Sequence, residues 1–309
     1  MSKLKFLKMT TWFPKRLIVI ALFEFCLASG AIASDLTSTR AAIIKEISGS
    51  NLDIGIAALY VESAQILSVN GNRRLPMASV YKFPIALAIL KQVEERKVDL
   101  SEPIQISTDD IRVGAVGPIA REYPKGEVRL LVSTLLKYMV SDSDNSASDL
   151  LLKRLGGPKA ATQIMLNWGF RQISIDRYEK QLIAQAESSE SAQLDTASAE
   201  DLVGLYAKLF SGRLLNTEHT QALIALMTDA HTPQHIGNGL PSDTSLFHKS
   251  GWCSRNKCIN DTALITLPEN RGHLAIAILA SGNIKDPEQV SKMIGRIARI
   301  AFDAAPCAK

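Results

Sequence analysis

Strand-like segments lie near both ends of this chain, and a long helical stretch lies between them. The strand-like runs are 53–61, 66–69, 244–252, 262–267 and 273–280. The stretch 79–210 carries apolar residues at helical spacing, interrupted by loops. Early and late strands can share one sheet only if the two ends of the chain come together. We therefore predict an antiparallel sheet of five strands with a helical lobe inserted into it.

The terminal helices complete this predicted architecture. Apolar residues at helical spacing mark 35–48 and 287–302, and we expect these two helices to cover the sheet. The fold class is then α+β, with a three-layer α/β/α lobe and an all-α lobe. The predicted boundaries are 34–75 together with 230–309 for the discontinuous α/β lobe, and 76–229 for the all-α lobe. A ligand is expected in the crevice between the lobes.

The first 33 residues have the order of a secretory signal peptide. Basic residues precede an apolar run at 17–27, and Ala31-Ile32-Ala33 offers a cleavage site of the small-x-small type. The run is short for a membrane span, so an uncleaved anchor is the weaker alternative. Phe25 before Cys26 argues against a lipoprotein. We predict cleavage near Ala33, a periplasmic or secreted protein, and no membrane attachment afterwards.

Composition excludes one broad class of partner. The net charge is only +4, and the basic residues are spread along the chain rather than interleaved with aromatic residues. No nucleic-acid footprint is therefore predicted. With 46% hydrophobic residues, the chain can build a full-sized core, as one large domain or two packed lobes. We also expect a monomer.

Ser79-Val80-Tyr81-Lys82 is the first candidate for chemistry. A serine hydroxyl needs a base before it can attack, and residues three apart on a helix share one face. Lys82 would therefore lie beside Ser79, and the apolar run that follows would desolvate it. Alone the pattern is weak, because Ser-x-x-Lys also occurs at Ser2/Lys5 and Ser254/Lys257.

Two further motifs lie downstream, each with a purely structural alternative. In Ser143-Asp144-Asn145, the Ser143 hydroxyl can pass a proton to a leaving nitrogen, and the Asn145 amide can orient a carbonyl and the lysine. The alternative is a polar helix N-cap. In Lys249-Ser250-Gly251, Lys249 and Ser250 can bind a carboxylate, and Gly251 permits a close backbone approach. The alternative is a strand that ends in a turn.

In this order, the three motifs are typical of penicillin-recognising serine enzymes, and nearly the whole mature chain resembles the class A β-lactamases. Other matching segments are Pro76 to Phe83, Leu155-Gly156-Gly157-Pro158, Asp176-Arg177-Tyr178-Glu179 and Asn260-Asp261. The resemblance implies a β-lactamase/transpeptidase-like fold, a β-lactam substrate, and neither a metal nor an organic cofactor.

The resemblance also implies roles for individual residues. Ser79 is the nucleophile, Lys82 or Glu179 takes its proton, and Glu179 activates the water that deacylates the enzyme. Ser143 protonates the leaving nitrogen, and the backbone N–H groups of Ser79 and Trp252 form the oxyanion hole. Arg177 pairs with Asp195 across an omega loop at 177–195. One alternative is a D,D-peptidase-like penicillin-binding protein, which does not account for Glu179 in its loop. The other is a receptor that stays acylated; Ile183 supports it, but such receptors usually carry a transmembrane segment, and this sequence shows only a cleavable signal.

Several positions depart from the family pattern. Ile183 stands where an Asn usually helps to hold the deacylating water, and Val116 stands where an aromatic residue is common. No clear counterpart exists for an arginine that assists carboxylate binding; His235 is near one of its usual places, although a surface histidine is an equal alternative.

Three cysteines remain after the predicted cleavage. Cys253 and Cys258 are five residues apart between two strand-like runs, so a bond across a hairpin is predicted. Unpaired thiols, or a zinc site that includes His248, remain alternatives. Cys307, in the tail, is expected to be free.

Overall fold

The computed structural model describes residues 36–111, 117–184, 194–253 and 256–306. One five-stranded sheet is built from both ends of the chain, and every neighbouring pair of strands is antiparallel. Its strands are β1 (Asp53–Tyr60), β2 (Gln65–Val69), β7 (Leu246–Trp252), β8 (Cys258–Thr266) and β9 (His273–Ser281). The order across the sheet is β2-β1-β9-β8-β7, which leaves β7 at one edge. The predicted sheet is thus confirmed.

The inner strands are apolar on both faces because both faces of the sheet are covered. In β9, all residues from Leu274 to Ala280 are buried, so the strand is a nearly continuous apolar run. Helix α1 at 36–47 and helix α10 (Pro287–Asp303) pack on one face. The Tyr60 hydroxyl ties β1 to α10 by donating to the carbonyl oxygen of Ala301 at 2.8 Å. These contacts form one of two hydrophobic clusters.

The helical lobe covers the opposite face and forms the second cluster. Its helices are α2 (Lys82–Glu94), α3 (Pro118–Glu122), α4 (Val132–Ser141), α5 (Asn145–Leu155), α6 (Pro158–Asn167), α7 (Glu179–Ala184), α8 (Ala199–Phe210) and α9 (Thr217–Thr228). The first nine residues of α2 are all buried, which explains why this helix is apolar on every side.

Two short two-stranded sheets accompany these helices, and the sequence did not predict them. They pair β3 (Leu75–Pro76) with β6 (Thr196–Ala197), and β4 (Pro103–Ile106) with β5 (Val128–Leu131). Strands of two to four residues are too short to show an alternating pattern. The boundaries drawn between the lobes stay a prediction.

No helix in the described part of the chain is long and apolar enough to cross a membrane. The predicted signal peptide, Val116, the 185–193 segment and Cys307 lie outside the described residues.

Candidate active site

The nucleophile candidate lies where the sheet meets the helical lobe. Ser79 is half-buried in a single 3₁₀ turn, Ala78–Tyr81, and α2 begins directly afterwards at Lys82. Ala78 before it has φ 47°, a left-handed conformation that is strained for a residue with a Cβ atom. The Asn260 amide holds the approach to this turn by donating to the carbonyl oxygens of Pro76 (2.9 Å) and Met77 (3.0 Å).

Lys82 joins the other candidates around this turn. Its Nζ is completely buried and lies 3.2 Å from Ser79 Oγ and 3.1 Å from Glu179 Oε1. The same ammonium donates to the Ser143 carbonyl oxygen and to Asn145 Oδ1, each at 2.7 Å. Lys82 therefore stands between a hydroxyl that can attack and a carboxylate that can accept a proton.

The Ser-Asp-Asn triplet combines both of its sequence interpretations. Asp144 is the N-cap of α5 and accepts from the Ala147 N–H at 2.8 Å, as the structural alternative requires. Its flanking residues face the site, because Ser143 Oγ lies 3.3 Å from Lys82 Nζ and Asn145 also contacts that lysine. Capping by the middle residue thus aims its two neighbours at the lysine.

Edge strand β7 forms one wall of the candidate site, next to the Ser79 turn and Ser143. Lys249 is fully buried, and its Nζ donates to Ser143 Oγ and to the Ser250 carbonyl oxygen, each at 3.1 Å. Burial, reinforced by the Lys82 ammonium, lowers the pKa of Lys249 to about 7. Gly251 touches the nucleophile turn: a Cβ there would lie 2.6 Å from the Met77 carbonyl oxygen and 2.9 Å from the Ser79 nitrogen. Only glycine allows this approach without displacement.

The base candidate, Glu179, is the first residue of α7 and is buried. Asp149 on α5 fixes this helix end by accepting from the Glu179 N–H at 2.6 Å and the Lys180 N–H at 3.1 Å. Sequence analysis missed Asp149, because its place on a helix gave no sign that it would reach another segment.

The ends of the omega loop meet as the resemblance implied. Arg177 Nε donates to Asp195 Oδ2 at 2.6 Å, and both side chains are buried. Asp195 Oδ1 also accepts from the N–H groups of Asp176 (2.8 Å) and Arg177 (3.0 Å). The Met77 N–H donates to the Asp195 carbonyl oxygen at 2.9 Å, which connects the loop to the nucleophile turn.

Cys253 and Cys258 form a disulfide at the end of β7. The two alternatives, free thiols and a zinc site, are therefore wrong. Trp252, just before the disulfide, is 47% exposed, and its indole donates to Asn256 Oδ1 at 3.0 Å. Its side chain thus lies at the rim, whereas Lys249 and Ser250 are buried.

The structure contradicts the surface interpretation of His235. This side chain is buried, and its Nδ1 lies 2.8 Å from Ser291 Oγ. Burial lowers the pKa of His235. Tertiary packing encloses this side chain, and no local sequence pattern reports such packing. For Ile183, the backbone belongs to α7, and its side chain lies outside the described part of the structure.

Comparisons with known proteins agree with this arrangement. The family model described as "Beta-lactamase enzyme family" matches residues 36–305. The chain is 29% identical to beta-lactamase VEB-1 of Pseudomonas aeruginosa, covering 93% of this chain and 96% of that protein. It is 26% identical to extended-spectrum beta-lactamase PER-1 of the same organism, covering 86% and 88% respectively.

A solved structure supports the same assignment. The beta-lactamase from Chitinophaga pinensis superposes with a TM-score of 0.81 at 27% identity, covering 87% of this chain and all of that one. The family match spans nearly all of the described residues, and the serine, the lysines and the glutamate meet in one crevice. The chain therefore belongs to the beta-lactamase enzyme family, as a class A serine β-lactamase.

Proposed function

We propose that this protein hydrolyses the β-lactam ring of penicillin- and cephalosporin-type antibiotics through an acyl-enzyme on Ser79, and so confers resistance to them. The observation that carries the proposal is the position of Lys82 Nζ, within 3.3 Å of Ser79 Oγ, Ser143 Oγ and Glu179 Oε1. One buried ammonium thus links the nucleophile, the proton donor and the base.

Binding uses the wall made by β7. The substrate carboxylate docks against Lys249 and the hydroxyls of Ser250 and Ser143, while Asn145 orients the substrate and Lys82. Lys249 already donates to Ser143 Oγ at 3.1 Å, so this hydroxyl lies at the meeting point of the two lysines. The close contact at Gly251 brings the next backbone N–H, that of Trp252, beside the nucleophile turn.

Acylation follows from this placement. Ser79 Oγ attacks the lactam carbonyl carbon. Its proton passes through water to Glu179, or to Lys82 after this ammonium has given a proton to Glu179 at 3.1 Å. The N–H groups of Ser79 and Trp252 stabilise the oxyanion. The carbonyl–nitrogen bond then breaks, Ser143 protonates the nitrogen, and Lys82 at 3.3 Å returns a proton to Ser143. Glu179 gives its proton to the neutral Lys82 at 3.1 Å and is again a carboxylate before deacylation.

Deacylation requires a base near the ester, and Glu179 supplies it. Glu179 takes a proton from water, and the resulting hydroxide attacks the ester carbonyl. The Ser79–acyl bond breaks, and the proton returns to Ser79 Oγ. The Arg177–Asp195 pair and Asp149 hold this glutamate over the site. A fixed carboxylate distinguishes this reaction from permanent acylation.

The disulfide supports export, because such bonds persist in oxidising compartments. We place the mature enzyme in the periplasm or the medium, as a monomer.

The test is hydrolysis of benzylpenicillin by the purified mature protein and by Ser79→Ala. We expect the parent to open the ring and the variant to have no activity above background, because nothing else replaces the attacking oxygen. Ser133→Ala, which changes an exposed serine on α4, is the matched control and should behave like the parent. A parent that is acylated but does not hydrolyse the drug would support the receptor or peptidase alternative.

A further inference from the structure

Lys249 is a buried cation with no carboxylate in contact. Its Nζ has only the neutral oxygens of Ser143 and Ser250 as hydrogen-bond partners. The nearby carboxylate of Glu179 is already paired with Lys82. Among the described residues, Lys249 makes no ion pair, yet the proposed reaction needs its positive charge to hold the substrate carboxylate. A buried ammonium without a counter-charge tends to lose its proton.

A second buried carboxylate lies one strand away. Asp261 on β8 is the cross-strand partner of Ser250, the residue after Lys249, and it is completely buried. Its Oδ2 accepts from the Ile236 N–H at 2.9 Å, and its Oδ1 accepts from the Thr262 N–H at 3.0 Å. These two backbone N–H donors hold the carboxylate in place.

His248 is the side-chain neighbour of this carboxylate. Its Nδ1 lies 3.1 Å from Asp261 Oδ1, and its Nε2 is buried without a hydrogen-bond partner. His248 belongs to β7 and Asp261 to the neighbouring β8, and the proposed mechanism assigns the pair no step. A fully buried polar pair that includes a residue of the binding strand requires an explanation.

We propose that Asp261 is the buried counter-charge that keeps Lys249 protonated for the substrate carboxylate. Asp261 is a positioning residue, since it acts through Lys249 and does not touch the substrate. This inference rests on the proposed function, because it assigns Lys249 to carboxylate binding.

The physical basis is a charge interaction through a dry sheet. Both side chains are completely buried, so water screens their interaction weakly. Burial and Lys82 lower the pKa of Lys249, whereas Asp261 and then Glu179 act to raise it. The charged or titratable groups around Lys249 and the Asp261 carboxylate are Lys82, Glu179, Tyr206, His235 and His248.

The charge of Lys249 should make substrate binding depend on pH. Lys249 is cationic below its pKa and loses its charge as pH rises through it. The value of kcat/KM reports the free enzyme, so it should fall on the alkaline side with an apparent pKa near that of Lys249. Asp261→Asn removes the counter-charge and should move this alkaline limb to lower pH by about one unit. At about pH 8.5, kcat/KM should then fall about tenfold below the parent value, mainly through KM.

Low pH separates this effect from structural damage. An asparagine leaves one N–H group facing another donor, so the variant will be less stable. If charge is the cause, its KM should return to within about twofold of the parent at about pH 5.5, where Lys249 is protonated in the variant as in the parent. Asp261→Ser, a second charge-free variant, should show the same shift. His248→Asn removes the imidazole and keeps the carboxylate, so its alkaline limb should not move to lower pH.

The experiment is kcat and KM for benzylpenicillin from about pH 5 to 9, on variants checked for folding by circular dichroism. A parent-like alkaline limb in the folded charge-free variants, or a loss that is equal at every pH, would overturn the inference. A parent that does not hydrolyse the drug would instead contradict the proposed function.

Discussion

At the scale of single residues, Asp149 shows how one side chain can place a catalytic group. Its carboxylate accepts from two successive N–H groups at the start of α7, those of Glu179 and Lys180. These donors have no partners inside their own helix, so the carboxylate also acts as a cap supplied by another segment. Removal of the Asp149 carboxylate should displace Glu179 more than Ser79, because Asn260 holds the Ser79 turn separately.

We predict that Asp149→Ala lowers kcat about ten- to a hundredfold, because a displaced Glu179 no longer lies where it can activate water. Steady-state kinetics with benzylpenicillin, together with the intact mass during turnover, will show whether the acyl-enzyme accumulates. Asp149→Asn is the matched control, since its amide oxygen can still accept one of the two N–H groups. Equal kcat for the alanine variant and the parent would show that Asp149 does not position the base.

The sequence identified the catalytic and binding residues better than the residues that hold them in position. Ser79, Lys82 and Lys249 belong to motifs, so type and spacing alone pointed to them. Asp149 makes contacts between segments far apart in the chain, and no local pattern reports such contacts. Asp261 was noted as part of the Asn260-Asp261 match, but its contact with the Ile236 N–H was not predicted.

At the scale of elements, the omega loop depends on a buried ion pair. Arg177 and Asp195 lie at its two ends, and burial raises the pKa of Asp195 even though Arg177 opposes the shift. Removing one partner of a buried ion pair leaves the other charge without compensation. The free energy of unfolding then falls by more than the intact pair contributes to it.

We predict that Arg177→Ala lowers the free energy of unfolding by about 3–5 kcal/mol. Urea denaturation followed by circular dichroism will measure the loss, and kcat should fall with it because Glu179 follows two residues later. Arg171→Ala is the control, since it removes an exposed arginine just before the same loop. If Arg177→Ala and Arg171→Ala lower the free energy of unfolding equally, the Arg177–Asp195 pair does not hold the loop.

Element boundaries also show where sequence patterns fail. The strand predicted at 262–267 begins instead at Cys258, because Asn260 and Asp261 are buried and satisfied by specific partners. Polar residues in a buried strand hide it from any search for apolar runs. By contrast, β1 and α10 follow simple patterns and were predicted to within one residue at either end.

At the scale of the whole molecule, the sheet separates two hydrophobic clusters. One cluster fills the helical lobe and its contact with the sheet, and it reaches the active site. The other lies between the sheet, α1 and α10. The order of strands and helices was enough to predict this layering, because sheets and helices must bury their apolar faces. Damage to the second cluster should therefore lower stability while it leaves the chemistry intact.

We predict that Ile294→Ala, at a fully buried position on α10, lowers the free energy of unfolding by about 2–5 kcal/mol. At 20 °C its kcat/KM should equal that of the parent, because the cavity forms on the far face of the sheet. Lys292→Ala on the exposed side of α10 should change stability by no more than about 0.5 kcal/mol. Thermal denaturation and kinetics on the same samples provide the check, and a parallel loss of kcat/KM would mean that the clusters are not independent.

The proposed mechanism requires that the β-lactam acylates Ser79 and that Glu179 activates the water that releases the acyl group. An intact-mass time course after mixing the mature protein or Glu179→Gln with a small excess of benzylpenicillin tests both halves. We predict that the parent returns to its free mass with the drug hydrolysed, whereas Glu179→Gln keeps one penicilloyl adduct on Ser79. A Glu179→Gln variant that turns over like the parent, or a parent adduct that persists for hours, would contradict it.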